Sequence, residues 1–148
     1  MKPLPHRYDV QLTGGPEGHA HLLSVGRPTL PTAPPREFGG PGDAWSPEHL
    51  FLASVEACFL FTFRAVARAS HVHFVDMNVH AEGTVDRQGG ETRFVEILLR
   101  PRIIVAPGCD REKLAQVIAK TGKACLVTAS LSTPVRVAAE IVENQAAA

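Results

Sequence analysis

From Leu50 to Val66 the chain carries apolar side chains on nearly every helical face: Leu50, Phe51, Leu52, Val55, Ala57, Phe59, Leu60, Phe61, Phe63 and Val66. An apolar pattern with almost no polar stripe predicts a helix buried all round. Its start is well signalled. Ser46 suits the capping position, Pro47 suits the first helical position, and Trp45 and Leu50 have the spacing of a hydrophobic staple. A chain of 148 residues has too little other mass to surround such a helix, so a partner chain is expected to cover part of it. Glu56 and Arg64 interrupt the run, and it is therefore not read as membrane-spanning. A carboxylate inside an apolar helix needs a partner or a function. Arg64 lies two turns beyond Glu56 and is not its i+4 partner, and the sequence names no other.

The pattern elsewhere is that of strands and one further helix. Two strand-like runs in HRYDVQLTGGPEGHAHLLSVG flank the turn residues Gly14, Gly15, Pro16 and Gly18, which predicts an N-terminal hairpin over residues 1–27. Six of the twelve prolines lie between residues 28 and 47, with Gly39, Gly40 and Gly42 among them, so 28–46 is read as one extended loop. It belongs to a single domain spanning 1–148, because the residues before it are too few for a core of their own. In residues 75–106, Phe94, Glu96, Leu98, Arg100 and Arg102 alternate with Val95, Ile97, Leu99 and Ile103. That pattern, with Gly89 and Gly90 at the centre, predicts a long hairpin. Asp110 is a plausible cap for a second helix, in which Leu114, Val117, Ile118, Thr121 and Cys125 recur at helical spacing. TPVRVAAEIV reads as one last strand, and residues 143–148 as a frayed tail. The order β-β-loop-α-β-β-α-β gives an α+β fold with antiparallel strands.

Composition narrows the function by exclusion. Apolar residues make up 45% and charged residues 20%, and 15 basic side chains balance 15 acidic ones. Zero net charge supplies no field for nucleic acid or an anionic membrane surface. MKPLPHRYDV lacks the apolar core of a secretory signal, so a cytoplasmic setting is expected, where disulfides are transient rather than structural.

Candidate chemistry rests on three cysteines. They lack the clustered spacing of a zinc site. Cys109 stands just before Asp110 and five residues from Leu114, a packing position. Cys125 lies on the apolar face of the second helix, with Lys123 near it in sequence. Cys58 sits among Ala57, Phe59 and Leu60, where desolvation raises a thiol's pKa and works against reactivity. A nucleophilic Cys58 therefore demands a cation or strong donors brought from elsewhere in the fold. His71 with His73, and His19 with His21, alternate as strand ligands do, but no third ligand accompanies either pair.

The stretch SPEHLFLASVEACF, a Pro-Glu helix start with a cysteine ten residues past the glutamate, resembles the OsmC/Ohr family of osmotically inducible and organic hydroperoxide resistance proteins. PPREFGG upstream, APGCDREKL at the second helix and KACLVTASLSTPV around Cys125 follow the same family order. The resemblance implies an OsmC-like α+β fold with antiparallel sheets, a long buried central helix and an intertwined homodimer with active sites at the subunit interface. It implies that Cys58 is the peroxidatic cysteine, that Cys125 resolves it, and that Glu48 pairs with a catalytic arginine. Ten helical residues rise about 15 Å, so in one unbroken helix Glu48 does not reach its own chain's Cys58. The arginine departs from one branch of the family, where it follows two glycines; here Pro16 stands there, in GGPEG. In the other branch it lies in the loop before the helix, where Arg36 fits, with Arg27 the second choice. Cys125 is followed by Leu126 rather than the proline commoner in the family.

The function so implied is a cysteine-based peroxidase that reduces organic hydroperoxides to alcohols. It passes through a Cys58 sulfenic acid and a Cys58–Cys125 disulfide, and an external dithiol restores it, with no metal or organic cofactor. Phe38, Phe51, Phe59 and Phe61 either line an apolar substrate entrance or fill the core. The alternative is a dimeric module, without catalysis, that holds a small apolar ligand and uses its cysteines only for packing.

Overall fold

A computed structural model describes residues 2–144. The chain divides into two compact units, one ending at Phe51 and the other starting at Leu52.

The first unit contains a three-stranded antiparallel sheet of β1 (Gln11–Thr13), β2 (Ala20–Leu23) and β3 (Leu30–Thr32), in that order. The predicted hairpin is β1–β2, with Thr13 opposite His21. β3 corrects the sequence reading, since it lies inside the stretch taken as loop. Leu22 faces Leu30 and His21 faces Pro31. Proline removes a ladder donor, which an edge position tolerates. Beyond β3 the chain makes a 3₁₀ turn, Arg36–Phe38, and enters helix α1 (Pro47–Ala69). Ser46 caps α1 as expected: its fully buried Oγ accepts from the His49 N–H at 3.3 Å and lies 2.8 Å from His49 Nδ1. Trp45, read as half of a staple with Leu50, sets its ring edge-on to His49 at 6.5 Å.

The second unit holds the body of α1, the hairpin β4 (Asp76–Gln88) and β5 (Glu91–Val105), helix α2 (Arg111–Ala124), the short helix α3 (Leu126–Ala129), and strands β6 (Val135–Val137) and β7 (Glu140–Glu143). The hairpin turns at Gly89 and Gly90, both at positive φ (62° and 88°), a turn open to glycine at no steric cost. A bulge between Thr84 and Val85 offsets the register. β5 is the spine of this unit: Ile97, Leu99, Pro101, Ile103 and Val105 are buried at every second position. They share the core with Val55, Phe59, Phe63 and Ala67 of α1 and with Leu114 and Val117 of α2. Asp110 caps α2, accepting the Lys113 N–H at 3.0 Å.

Two further differences from the sequence reading have physical causes. The last strand is two strands, and both run parallel to β5 rather than antiparallel. α2 carries the chain back across the sheet, the connection a parallel strand needs. β6 and β7 keep one register, with Ile97 opposite Val135 and Arg102 opposite Glu140. Ala138 N–H donates to the Leu99 carbonyl at 2.8 Å. The next ladder bond would come from residue 101, which is Pro101 and has no N–H. The strand breaks there and resumes at Glu140. Glu143, assigned to the frayed tail, belongs to β7, and Asn144 N–H bonds the Val105 carbonyl at 2.7 Å. The rest of that tail lies outside the described residues.

α1 is the second difference. Expected to be buried on every side with a partner chain covering part of it, it buries one stripe within this chain, Val55, Phe59, Phe63 and Ala67, while Phe61 is 60% exposed on another face. At 23 residues α1 has the length and apolarity of a membrane span. Its stripe nonetheless meets protein: Phe63 packs edge-on to Phe74 at 5.1 Å. Glu56, the carboxylate without a partner in sequence, accepts the backbone N–H of Ala81 in β4 at 2.8 Å.

α1 crosses β4 close to Gly83. A Cβ there would lie 2.6 Å from Phe94 Cε1 and 2.9 Å from Leu52 Cδ2. Gly83→Ala is therefore expected to destabilise the protein by about 1–3 kcal/mol, the usual cost of overpacking. In a thermal melt each kcal/mol lowers Tm by about 2–4 °C at this chain length. An unchanged Tm would mean that helix and strand separate freely at this crossing.

Candidate active site

Cys58 projects from the middle of α1, and Cys125 caps the C-terminus of α2 at the entry to α3. The fold brings the two thiols near enough that each shifts the titration of the other. The backbone N–H of Val127 in α3 donates to Cys58 Sγ at 3.4 Å, and the Thr62 hydroxyl, one helical turn along α1, lies 3.9 Å from it. Cys125 is 1% exposed, and Thr128 Oγ1 donates to its sulfur at 3.2 Å.

These surroundings drive the two thiols apart. Burial acts to raise the pKa of Cys58. The Cys125 thiol, the Val127 N–H, the Thr62 hydroxyl and the backbone at Leu126 oppose it and prevail, holding Cys58 below the ordinary thiol value. Cys125 moves the other way. Burial raises it, and the hydrogen bond it gives to Cys58 and the charge there raise it further, against the bonds from Thr128. A pair split in this way favours ionisation at Cys58 over Cys125. The donors that Cys58 demanded are thus backbone amides, a hydroxyl and a second thiol. Thr62, four residues after Cys58, carried a helical-spacing signal in the sequence. The amides of α3 carried none, because nothing local to Cys58 tells where residue 127 folds.

The other predicted residues are distributed as follows. Glu48 lies in the first turn of α1, where a carboxylate suits the helix dipole. Its Oε2 is buried without a hydrogen-bond partner among the described residues. Arg36 is exposed in the 3₁₀ turn, its side chain folded against Gly42. Arg27, the second choice, donates to the carbonyl of Val25 at 2.8 Å. Phe38 is 58% exposed in the same turn as Arg36. Phe51 is half-buried at the end of the first unit. Phe59 is a core residue, stacked on Phe63 with ring centroids 6.5 Å apart, so it fills rather than lines. Phe61 is exposed beneath the guanidinium of Arg64, 5.4 Å from the ring centre. Cys109 is half-buried, and His19 of the first histidine pair is bonded to Asp43 at 2.8 Å.

Comparison with known proteins places this arrangement. Residues 40–140 match the model of the family described as OsmC-like protein. An organic hydroperoxide resistance protein of Xanthomonas axonopodis pv. citri is 32% identical over 117 residues, covering 76% of this chain and 78% of that protein. The crystal structure of an organic hydroperoxide resistance protein OsmC from Legionella pneumophila has a TM-score of 0.73 at 26% identity, covering 93% of this chain and 99% of that one. An OsmC-like protein of unknown function from Vibrio cholerae shares the fold with a TM-score of 0.83 at 15% identity, covering 93% of this chain and 100% of that one. The chain belongs to the OsmC-like protein family.

Proposed function

We propose that this protein is a thiol-dependent peroxidase for organic hydroperoxides. The observation that carries the reading is the Cys58–Cys125 pair: the Val127 N–H, two residues past Cys125, donates to Cys58 Sγ at 3.4 Å, and the two thiols are shifted in opposite directions, Cys58 down and Cys125 up. The names of the Xanthomonas and Legionella relatives support the substrate class.

The chemistry balances with groups the chain supplies. The Cys58 thiolate attacks one peroxide oxygen of ROOH. The O–O bond breaks, the sulfur is oxidised to the sulfenic acid, and the alkoxide takes a proton and leaves as ROH. Cys125 then attacks the sulfenic sulfur, expelling water and closing a disulfide. An external dithiol reduces that disulfide by exchange and leaves oxidised itself.

Glu48 and Arg36 complete the proposal. A buried carboxylate oxygen without a partner is costly, and a guanidinium is the group that best satisfies it. α1 is unbroken, and its ten-residue interval between Glu48 and Cys58 amounts to about 15 Å of rise. The site is therefore read as shared between two copies of the chain, with Arg36 bonded to Glu48 beside the partner's thiolate.

The test is a free-thiol count by mass spectrometry before and after one equivalent of cumene hydroperoxide. The wild type is expected to lose two thiols and yield a Cys58–Cys125 cross-linked peptide, with Cys109 unreacted. Cys58→Ser is expected to lose none. Persistence of all three wild-type thiols would refute the peroxidase reading and favour a ligand-binding module in which the cysteines pack.

A further inference from the structure

Four arginines of the second unit are paired with carboxylates, and two near one end of α1 are not. Arg100, Arg102, Arg111 and Arg136 each meet a carboxylate: Glu82, Glu140, Glu143 and Glu96. Arg64 and Arg68 meet none among the described residues. They lie four residues apart, so both guanidinium groups stand on one side of the helix. A cavity of about 530 Å³ opens beside them, where His71 and His73 are also exposed. Its lining includes the buried Val72 and the half-buried Phe74 and contains no carboxylate. A smaller cavity of about 290 Å³ shares His71 and His73 and adds Lys113. The one carboxylate there, Asp110, is occupied by the Lys113 N–H at 3.0 Å.

The helix end itself is built at a cost. The Val72 N–H reaches back to the Ala67 carbonyl at 2.9 Å and the His71 N–H to the Arg68 carbonyl at 3.2 Å, which closes the helix with residue 71 in the left-handed region. His71 occupies that position at φ 53°, the one non-glycine residue at positive φ among those described. Glycine would fit there without strain, but it would remove an imidazole from the rim of both cavities.

We infer that the larger cavity binds a small amphipathic organic anion, an apolar chain ending in a carboxylate or a phosphate. The head group lies between Arg64 and Arg68 beside the imidazoles, and the chain rests on Val72 and Phe74. Two guanidinium groups on one helix face satisfy an oxyanion with charge-assisted hydrogen bonds. The apolar floor distinguishes such a ligand from an inorganic ion.

The experiment is an NMR titration of the full chain with octanoate, octyl phosphate and, as the uncharged control, 1-octanol. Saturable shifts at the backbone amides of residues 64–74 are expected for the two anions, and weak or no shifts for octanol. Whichever anion binds more tightly identifies the head group. The double variant Arg64→Gln, Arg68→Gln is expected to weaken anion binding about tenfold or more. It should leave the reaction of Cys58 with cumene hydroperoxide unchanged. His71→Gly is expected to raise Tm while weakening the anion. Octanol binding as tightly as octanoate, shifts confined to other residues, or full affinity in the double-glutamine variant would each overturn the site. A higher Tm with undiminished affinity would remove His71 from it.

Discussion

Cys58→Ser is expected to slow the dithiol-driven reduction of cumene hydroperoxide by a factor on the order of 10³ or more, the usual effect of removing a catalytic nucleophile. A serine hydroxyl in the same place accepts the same hydrogen bonds but does not ionise near neutral pH. The substitution is nearly isosteric at a half-buried position, so the fold should survive and the loss will be chemical. Cys125→Ala separates the two thiols' roles. It should still lose its Cys58 thiol to one equivalent of hydroperoxide, but it should stop at the sulfenic acid and fail to turn over with the dithiol. It also removes the strongest of the hydrogen bonds that lower the Cys58 pKa, while the burial that raises it remains. The sign follows directly. The folded pKa of Cys58 rises, less thiolate is present at pH 7, and the rate profile for alkylation by iodoacetamide moves to higher pH. A variant whose profile coincides with the wild type would assign the thiolate to the Val127 amide and Thr62 alone. Full peroxidase activity in Cys58→Ser would end the mechanism proposed above.

Gly40→Ala is expected to disrupt the segment that carries Arg36. A Cβ on Gly40 would overlap the carbonyl group of Pro34, which is backbone and has no rotamer to yield. The turn there is tight: the N–H groups of Phe38 and Gly40 both donate to the Pro35 carbonyl, at 3.1 and 2.9 Å, and that of Gly39 to the Arg36 carbonyl at 3.0 Å. Gly42 is closed in a different way, since the space its Cβ would take is filled by the Arg36 side chain. The cost of Gly40→Ala should therefore reach or exceed the upper end of the roughly 1–3 kcal/mol typical of overpacking. Limited proteolysis should show new cleavage between residues 34 and 45. If Arg36 serves the thiolate, hydroperoxide reduction should fall with it. Gly39→Ala is the control. Its φ is 78° with open space around the missing Cβ, so only the left-handed backbone is penalised, at about 1 kcal/mol. Equal effects from the two alanines would show that strain in the turn, rather than the Pro34 carbonyl, governs this loop.

Local chemistry made much of the architecture readable in advance. The caps at Ser46 and Asp110 and the Gly89–Gly90 turn depend on neighbours a few residues away, and they appear where the pattern placed them. The alternation in β5 is equally local, and it buries Ile97, Leu99 and Ile103 on one face. Cys58 and Cys125 were identifiable as a candidate pair from a resemblance that spans the chain, and their individual surroundings argued only for packing. Three features needed long-range register. β3 was hidden by Pro31, because an edge strand accepts a residue that local rules exclude. The break between β6 and β7 depends on Pro101, whose missing N–H matters only once Ala138 is known to lie beside it. The partner of Glu56 is an amide 25 residues away on β4.

For the site, the amino-acid order supplied two candidate thiols on two helices, with Thr62 one turn from the first. It did not determine which thiol is held below the ordinary value. That depends on tertiary structure, which sets the Cys125 S–H and the Val127 N–H against Cys58 and buries Cys125 behind them. A thiol's pKa is decided by the donors and the solvent within a few ångströms of its sulfur, and here, Thr62 apart, those donors come from residues 67 to 69 positions further along the chain.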